Sequence, residues 1–327
     1  MDEIPAYAPS GEGSHFFVQI RKRGLTTAQA KGMLAKAAGV GLRNVGSAGR
    51  KDKWAVTTQW LSLPAEPKPI DDDRLQVLQV VRHGRKLKMG HLKGNRFRVR
   101  LRGLHPDAAD RLAALQALVA QGVPNYFGEQ RFGHDNLTQA LHMLDHGPPR
   151  DRRVDPGFLA SALQSAVFNH WLGWRVTAGD LHRLVPGDVL QKRETGGLFT
   201  SQDAEADAAR VVAGEVDPCG PLVGPKAYTP IDRAAEREAQ AIAAFGLTPE
   251  RLEALARHAP GSQRPARLIP QDLELAVEGD TLHAAFTLPK GAFATVVLAE
   301  LAQPEGRLRV LRGAADDASE ASEPGED

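Results

Sequence analysis

The sequence has only one cysteine, Cys219, among its 327 residues. A single cysteine cannot form an internal disulfide or build a zinc cluster. No run of apolar residues approaches the ~18 that a transmembrane helix needs. The first residues, MDEIPAYAPSGEGSH, carry acids where a signal peptide has bases followed by apolar residues. We therefore expect a cytoplasmic protein without a membrane partner.

Extremes of composition are also missing. Hydrophobic residues make up 42% and charged residues 25% of the chain, which excludes a disordered, collagen-like or coiled-coil protein. No internal repeat with a period of roughly 20–50 residues is visible. At roughly 100–200 residues per domain, the length predicts about two domains, and either can bury a core of its own.

A net charge is nearly absent, because 41 Lys and Arg face 40 Asp and Glu. The charges are segregated, however. Residues 313–327 hold six acids and no base, and residues 74–102 hold ten bases and no acid. A run of charge is commonly a solvated face, whereas a basic block in a folded region also indicates an anionic partner, with nucleic acid as the leading candidate. The acidic tail is predicted to be disordered.

Hydrophobic periodicity predicts an α+β protein. Strands are expected at residues 15–20, 56–63, 77–81 and 96–102 and in a hairpin of residues 273–288 that turns at Gly279-Asp280. Helices are expected from a cap at Thr26 or Thr27 to a stop at Gly39, from Pro106 to about 121, at about 136–146 and 156–176, and at 295–301. Residues 185–259, with helices near 202–213, 231–245 and 249–258, are predicted to form a separate, mainly helical module.

The strand at residues 96–102 has an unusual pattern. Phe97, Val99 and Leu101 alternate with four arginines, so one face of the strand is apolar and the other carries four guanidinium groups. Adjacent like charges repel, which indicates an acidic partner. That partner is either an external anion or a set of acids on neighbouring strands.

The first candidate site is the segment VGSAGRKDKWAVTTQ at residues 45–59. Arg50, Lys51 and Lys53 surround Asp52, and such cations favour the ionised carboxylate that a nucleophile or a base requires. The glycine spacing does not fit a phosphate-binding loop, and Lys51 is followed by Asp52 rather than by serine or threonine. The alternative is an ordinary salt-bridged turn.

The second candidate is PNYFGEQRFG, residues 124–133. Its glycines allow close approach of a backbone, its phenylalanines offer a stacking face for a base, and Asn125 can bind a base edge. Equally, the segment can be a loop whose phenylalanines anchor it to the core. His142 and His146, four residues apart on a helix, lack a third metal ligand and are expected to be a surface pair.

The two segments, AGRKDKWAVTTQ and NYFGEQRFG, resemble the signature motifs of the TruD family of tRNA pseudouridine synthases. The resemblance extends to LKMGHLKGNRF at residues 87–97, to SALQSAVFN at 161–169 and to residues 270–301. The motifs occur in the family's order, and together they cover most of residues 15–170 and 263–301.

The resemblance implies isomerisation of uridine 13 of tRNA to pseudouridine, with no metal or organic cofactor. It implies that Asp52 is the catalytic nucleophile, that Asn125 contacts the substrate and that Phe127 stacks on the flipped uracil. Lys51, Lys53 and Gly128 belong to the same motifs as supporting residues. The candidates for binding the RNA backbone are Arg85, Lys86, Lys88, Lys93, Arg96 and Arg98.

The resemblance also implies a domain organisation. A pseudouridine-synthase-like catalytic domain with a mixed, mainly antiparallel sheet would consist of residues 1–150 and 269–312. An inserted, mainly helical α/β domain at residues 151–268 would close a cleft over the tRNA, and residues 313–327 would be the disordered tail. We expect tRNA as the partner and a monomer as the oligomeric state.

One departure from the family pattern concerns the start of the chain. Members begin with a segment similar to F-K-x-x-P-E-D-F-x-V-E-E, whose lysine and phenylalanine line the active site, and this chain starts near its closing acids. The expectation is either a recorded start that is too late or a form with weakened activity. The alternative function is therefore a tRNA-binding protein or folding chaperone with little or no catalysis. A phosphate-ester hydrolase is a remote third, because metal-binding acids near Asp52 are missing.

Overall fold

A computed structural model describes residues 1–104, 108–128, 131–133, 135–151 and 153–302 of the chain. They form two compact units. The first unit comprises Met1–Ala120 and Pro270–Ala294, and the second comprises Gln121–Ile269 and the described residues from Thr295 onward. The second unit thus begins about thirty residues before the boundary expected at 150/151, and it includes the helix at residues 136–146.

The helices and strands follow one another along the chain in an α+β order. The elements of residues 1–121 are β1 (Asp2–Pro5), β2 (His15–Lys22), α1 (Thr27–Ala38), β3 (Gly46–Ser47), β4 (Thr57–Leu63), β5 (Leu75–His83), β6 (Leu92–Arg102) and α2 (Ala108–Gln121). The elements of residues 122–269 are β7 (Val123–Pro124), α3 (Asn136–His146), α4 (Pro156–Thr177), β8 (Val189–Lys192), β9 (Leu198–Thr200), α5 (Ala204–Ala213), β10 (Val216–Leu222), α6 (Asp232–Ala243), α7 (Pro249–Ala256), β11 (Ser262–Pro265) and β12 (Arg267–Leu268). The last three are β13 (Gln271–Glu278), β14 (Thr281–Pro289) and α8 (Ala294–Ala302).

The first unit is built on an eight-stranded sheet in the order β13-β14-β6-β1-β4-β2-β5, with β3 beside β4. The pairing of β1 with β4 is parallel, and the other pairings are antiparallel. This topology confirms the predicted mixed, mainly antiparallel sheet.

Helix α1 packs on the β2–β4 part of this sheet. Its buried Ala30 and Leu34 share a core cluster with Val18, Ile20 and Leu61 of the two strands. The helix begins at a capping box between Thr26 and Gln29 and ends at Gly39, whose φ of 66° is left-handed. The helix predicted from sequence is therefore confirmed at both ends.

Strand β1 was not foreseen from the sequence. Its four residues, DEIP, lie between β6 and β4 near the middle of the sheet, and the side chain of Glu3 is buried. A strand of only four residues is too short to show a period-2 signal, so only the pairing with its neighbours reveals it.

Strand β6 has the alternation predicted for it. Its four arginines are exposed, while Phe97, Val99 and Leu101 are half-buried on the other face. Phe97 stacks on Phe286 of β14, with 5.5 Å between ring centroids. Acids do pair with part of the arginine face, because Arg98 lies 2.8 Å from Asp2 and Arg96 lies 3.6 Å from Glu274.

The second unit contains a four-stranded sheet, in the order β11-β10-β8-β9, within the stretch predicted to be mainly helical. Its central strand β10, VDPCGPL, resembles a turn because it contains two prolines. Each proline is paired with only one neighbouring strand, Pro218 with β8 and Pro221 with β11, so its other side has no strand to which an N–H could donate. The missing N–H groups therefore cost the sheet no hydrogen bond.

The remaining predicted elements agree with the structure to within a few residues. Helices α3 to α8 lie at their expected positions, and the β13–β14 hairpin turns at Gly279-Asp280. Pro106, the expected start of α2, and the acidic tail at residues 313–327 lie outside the described residues. Within the described part of the chain, no helix is long and apolar enough to cross a membrane.

Candidate active site

Asp52 lies in the loop of residues 49–56, between β3 and β4, and the backbone of this loop is anchored at three points. The Lys51 N–H donates to Thr27 Oγ1 at 2.8 Å, and Lys22 Nζ donates to the carbonyl of Asp52 at 2.8 Å. The N-terminal ammonium of Met1 donates to the carbonyl of Val56 at 3.0 Å. Because these bonds are made by backbone atoms of the loop, they fix its path without using the side chains of the loop.

Lys22, at the end of β2, is the deepest of these anchors. Its side chain is fully buried, and its ammonium also donates to the carbonyl of Leu25 at 2.7 Å. Burial lowers the pKa of Lys22, the charge of Asp52 opposes that shift, and Lys51 adds to it. The sequence does carry a signal for this residue, since Lys22 continues the buried alternation of Val18 and Ile20.

Lys51 does not turn its ammonium toward Asp52. Its Nζ lies 2.5 Å from Glu3 Oε2, and the two side chains are 3% and 1% exposed. The other carboxylate oxygen of Glu3 accepts the Trp60 N–H at 3.1 Å. The interpretation that Lys51 keeps Asp52 ionised is therefore corrected: Lys51 joins the loop to β1 through a buried ion pair.

The carboxylate of Asp52 is exposed. Its Oδ1 accepts the N–H of Trp54 at 3.0 Å, and in the described residues no lysine or arginine nitrogen lies within 4.0 Å of it. Lys53 lies over the Trp54 ring instead, 4.7 Å from its centroid. The structure thus presents a solvent-accessible carboxylate on a fixed backbone, which suits a nucleophile.

Asn125, in the second unit, is buried and bonded through both ends of its amide. Its Nδ2 donates to the carbonyl of Pro265 at 2.9 Å, and its Oδ1 accepts from Arg264 Nη2 at 2.5 Å. Its backbone N–H donates to the carbonyl of Ala266 at 2.8 Å. An amide has two N–H donors and two acceptor lone pairs, and these bonds use one of each.

Phe127 is held by a residue that sequence patterns did not single out. The side chain of Asn169 on α4 accepts the Phe127 N–H at 2.8 Å and donates to the Phe127 carbonyl at 2.9 Å. The ring of Phe127 meets Phe168 edge-on at 5.7 Å, and Arg264 lies over it at 4.0 Å. The Asn169 side chain therefore satisfies both backbone groups of Phe127, as a paired strand would.

Two half-buried arginines surround Phe127 with positive charge. Burial lowers the pKa of Arg264 to about 10, and the neighbouring charge of Arg131 acts in the same direction. Burial also lowers the pKa of Arg131, which donates to Ser165 at 3.3 Å and to Ser161. Concentrated positive charge of this kind favours an anionic ligand.

Comparison with known proteins identifies the family. The model of the family described as tRNA pseudouridine synthase D (TruD) matches residues 1–142 and 157–301. The chain belongs to the TruD family. Proteins named tRNA pseudouridine synthase D are similar to it: that of Anaeromyxobacter sp. strain Fw109-5 is 44% identical, over 92% of this chain and 89% of the relative. One from Thermus thermophilus is 37% identical, over 93% of this chain and 86% of the relative.

The fold agrees with this membership. The crystal structure of a Methanosarcina mazei protein assigned as tRNA pseudouridine synthase D superposes with a TM-score of 0.72, covering 92% of this chain and 90% of the other. Its sequence identity is 22%, so this likeness concerns the fold alone. The predicted family and the predicted fold class are both confirmed.

The six RNA-backbone candidates of this member of the TruD family all lie in the first unit, and most of them are exposed. Arg85, Lys88, Lys93, Arg96 and Arg98 are exposed. Lys86 is half-buried and donates to the carbonyl of Arg43 at 2.6 Å. Five of the six predicted cations are therefore accessible to a phosphate, although Arg96 and Arg98 each have an acid nearby.

The described part of the chain has no group of three or more His, Cys, Asp and Glu side chains that could hold a metal ion. His142 and His146 stack on each other at 4.2 Å, and Asp145 between them pairs with Arg251 at 2.7 Å. The surface-pair interpretation of these histidines agrees with that arrangement.

Proposed function

We propose that this protein is a tRNA pseudouridine synthase that isomerises uridine 13 of tRNA, with Asp52 as the nucleophile. Membership of the TruD family supports the reaction and the tRNA substrate. The observation that carries the role of Asp52 is its exposed carboxylate on a loop whose backbone three separate hydrogen bonds hold in place.

The reaction breaks the bond between C1′ of the ribose and N1 of uracil, turns the base, and joins C1′ to C5. C5 loses its proton to solvent and N1 takes up a proton, so the product is an isomer of the substrate. Asp52 attacks either C1′ or C6 and is expelled again when the new bond has formed, so no redox change occurs. A carboxylate suffices as nucleophile, and the proposal includes neither a metal nor an organic cofactor.

Asn125 and Phe127 are proposed to contact the target nucleoside. Moving a uridine out of its stack costs a few kcal/mol, and stacking on an aromatic ring returns about 1–3 kcal/mol. Arg85, Lys86, Lys88, Lys93, Arg96 and Arg98, together with the supporting Lys51, Lys53 and Gly128, complete the proposed site. We further propose a monomer that acts where its tRNA substrate is found, in the cytoplasm.

The test of this function is tritium release from a tRNA transcript carrying 5-³H-uridine. Asp52→Asn should lower the release rate at least about 1000-fold, because the amide cannot act as nucleophile. It should leave the free energy of unfolding within about 0.5 kcal/mol of wild type, because the side chain is exposed. Asp73→Asn, at another exposed aspartate of the first unit, is the matched control and should be fully active.

Equal release by Asp52→Asn and wild type would exclude Asp52 as nucleophile. A transcript with cytidine in place of uridine 13 tests the position separately. Tritium release that persists from this transcript would show that the enzyme acts at another uridine.

A further inference from the structure

Trp54 is the most exposed of the large apolar side chains in the described part of the chain, at 83%. The protein has three other tryptophans, of which Trp60 is 6%, Trp171 5% and Trp174 38% exposed. Single exposed apolar residues are ordinary on protein surfaces, so exposure alone assigns no role to Trp54. Its surroundings do.

The indole is displayed by a backbone that has little freedom. On one side of Trp54, the carbonyl of Asp52 is held by buried Lys22, and on the other side the carbonyl of Val56 is held by the N-terminus. The Trp54 N–H itself donates to Asp52 Oδ1 at 3.0 Å. A side chain on such an anchored loop is already positioned for a ligand, so binding loses little conformational entropy.

The charges of the loop are complementary to a nucleic acid. Arg50 and Lys53 are exposed, and the Lys53 ammonium lies over the Trp54 ring at 4.7 Å. The half-exposed side chain of Val56 extends the apolar surface. An aromatic ring that stacks on a base, with cations that bind the adjacent phosphates, is the arrangement by which proteins hold single-stranded RNA.

We infer that Trp54, with Arg50 and Lys53, forms a stacking surface for an unpaired nucleobase of the tRNA beside the target uridine. The inference rests on the proposed function for the identity of the RNA. It places the stacked base next to the reacting nucleoside, because Trp54 is two residues from Asp52 and is hydrogen-bonded to its carboxylate. The surface would bind RNA whether or not Asp52 reacts.

The first measurement is the Kd for an unmodified tRNA transcript, by filter binding, with the full-length protein. Trp54→Ala should bind about 10-fold more weakly, because one base–aromatic stack is lost. Trp54→Phe keeps an aromatic ring and should weaken tRNA binding by no more than about threefold. Val212→Ala removes a similarly exposed apolar side chain, 79% exposed on α5 of the second unit, and should bind as wild type does.

The second measurement is tryptophan fluorescence, since Trp54 is the tryptophan most accessible to solvent. Emission that is present in wild type and absent from Trp54→Phe should be quenched when tRNA is added. The same emission should become less sensitive to acrylamide. Either an unchanged emission difference or an unchanged Kd for Trp54→Ala overturns the inference.

The two proposals fail in distinguishable ways. If the wild type forms no pseudouridine but the Trp54 emission responds to tRNA and Trp54→Ala binds weakly, the proposed activity is wrong and the stacking surface stands. If pseudouridine forms at the normal rate with Trp54→Ala and the emission does not respond, the activity stands and the stacking surface is wrong.

Discussion

The loop of residues 49–56 and the segment of residues 125–128 carry the two groups of proposed site residues, and they are stabilised in opposite ways. In the loop, the backbone is anchored while Asp52 and Trp54 project into solvent. In the segment, the side chains of Asn125 and Phe127 are themselves buried, at 6% and 8% exposure. The first motif is supported by residues outside its chemistry, whereas the second uses its functional candidates as structural contacts.

This difference separates two kinds of mutational effect. At Asp52, a change of side chain alters chemistry without removing a packing contact, so activity and stability are independent. At Phe127, the same side chain would stack on the substrate and fill the core, so its loss affects both. Each prediction below tests whether a residue belongs to the first kind or to the second.

The largest effect on stability is expected at Phe127. Phe127→Ala removes a buried ring that meets Phe168 at 5.7 Å and lies beneath Arg264, and it should lower the free energy of unfolding by about 3–5 kcal/mol. Turnover of tRNA should fall more than initial binding does. Urea denaturation and single-turnover kinetics measure the two effects.

Phe127→Leu is the variant that divides these effects. Leucine keeps most of the buried volume, so the loss of stability should be about 1 kcal/mol, while the stacking face is gone and turnover should still fall. Normal turnover by Phe127→Leu would show that the ring serves packing alone. Phe127 would then differ fully from Asp52, because its side chain would serve stability and not activity.

The buried ion pair of Lys51 and Glu3 is expected to give the next largest effect. Lys51→Met leaves the Glu3 carboxylate buried without its cation, and it should lower the free energy of unfolding by about 3 kcal/mol. The double variant Glu3→Gln/Lys51→Met should be more stable than Lys51→Met alone, because no unpaired charge remains. Thermal or urea unfolding of the four proteins closes the cycle.

If the losses of stability from Glu3→Gln and Lys51→Met simply add in the double variant, the two side chains do not stabilise each other. The anchoring of the loop would then depend on its backbone hydrogen bonds alone. Since Lys51 is adjacent to Asp52, activity measured in the same four proteins shows whether the pair also positions Asp52.

Sequence patterns could find Asp52 but not the residues that support it. Periodicity identifies α1 and β6 because each buries one face of a regular element. It cannot identify the partner of Lys51, because Glu3 is 48 residues away on a strand of four residues. A long-range pair between short elements leaves no local signal, and only the folded sheet brings its members together.

The same reason explains Asn169 and the strand β10. Asn169 lies on a largely buried helix, 42 residues from the backbone that it binds. Strand β10 contains two prolines, which local propensity assigns to a turn. In both cases tertiary contacts decide the structure: helix α4 was predictable although the contact of Asn169 was not, and β10 was not predictable even as an element.

Removal of Lys22 is expected to have a smaller effect. Lys22→Met fits an apolar side chain into the core but leaves the carbonyls of Leu25 and Asp52 without their donor. The expected loss is about 2 kcal/mol of unfolding free energy, with a lower kcat because the backbone of Asp52 is released. Lys36→Met, at an exposed lysine of α1, is the control and should change neither.

The pH dependence identifies the Lys22 contribution. Because burial lowers its folded pKa below the ordinary 10.5, the unfolded chain binds more protons between these two pKa values. Wild-type stability should therefore rise with pH across that window, and Lys22→Met should lack the rise. Parallel stability profiles for the two proteins would exclude Lys22 as the titrating group.

The smallest effect is expected at Glu238 on α6, which belongs to neither motif. Burial raises its pKa from 4.5 to about 7, so the folded chain binds more protons than the unfolded chain between these values and loses stability as the pH rises through them. Glu238→Gln, neutral at every pH, should be about as stable as wild type near pH 4.5 and more stable than wild type at pH 8. Glu236→Gln, at an exposed glutamate of the same helix, should show no such gain in stability at pH 8.

Tritium release should be unchanged in both variants, because Glu238 neither anchors the Asp52 loop nor contacts the Phe127 segment in any described interaction. A loss of activity in Glu238→Gln would mean that function depends on the second unit beyond its signature motif, and the contrast between the two motifs would then be too narrow to describe this enzyme.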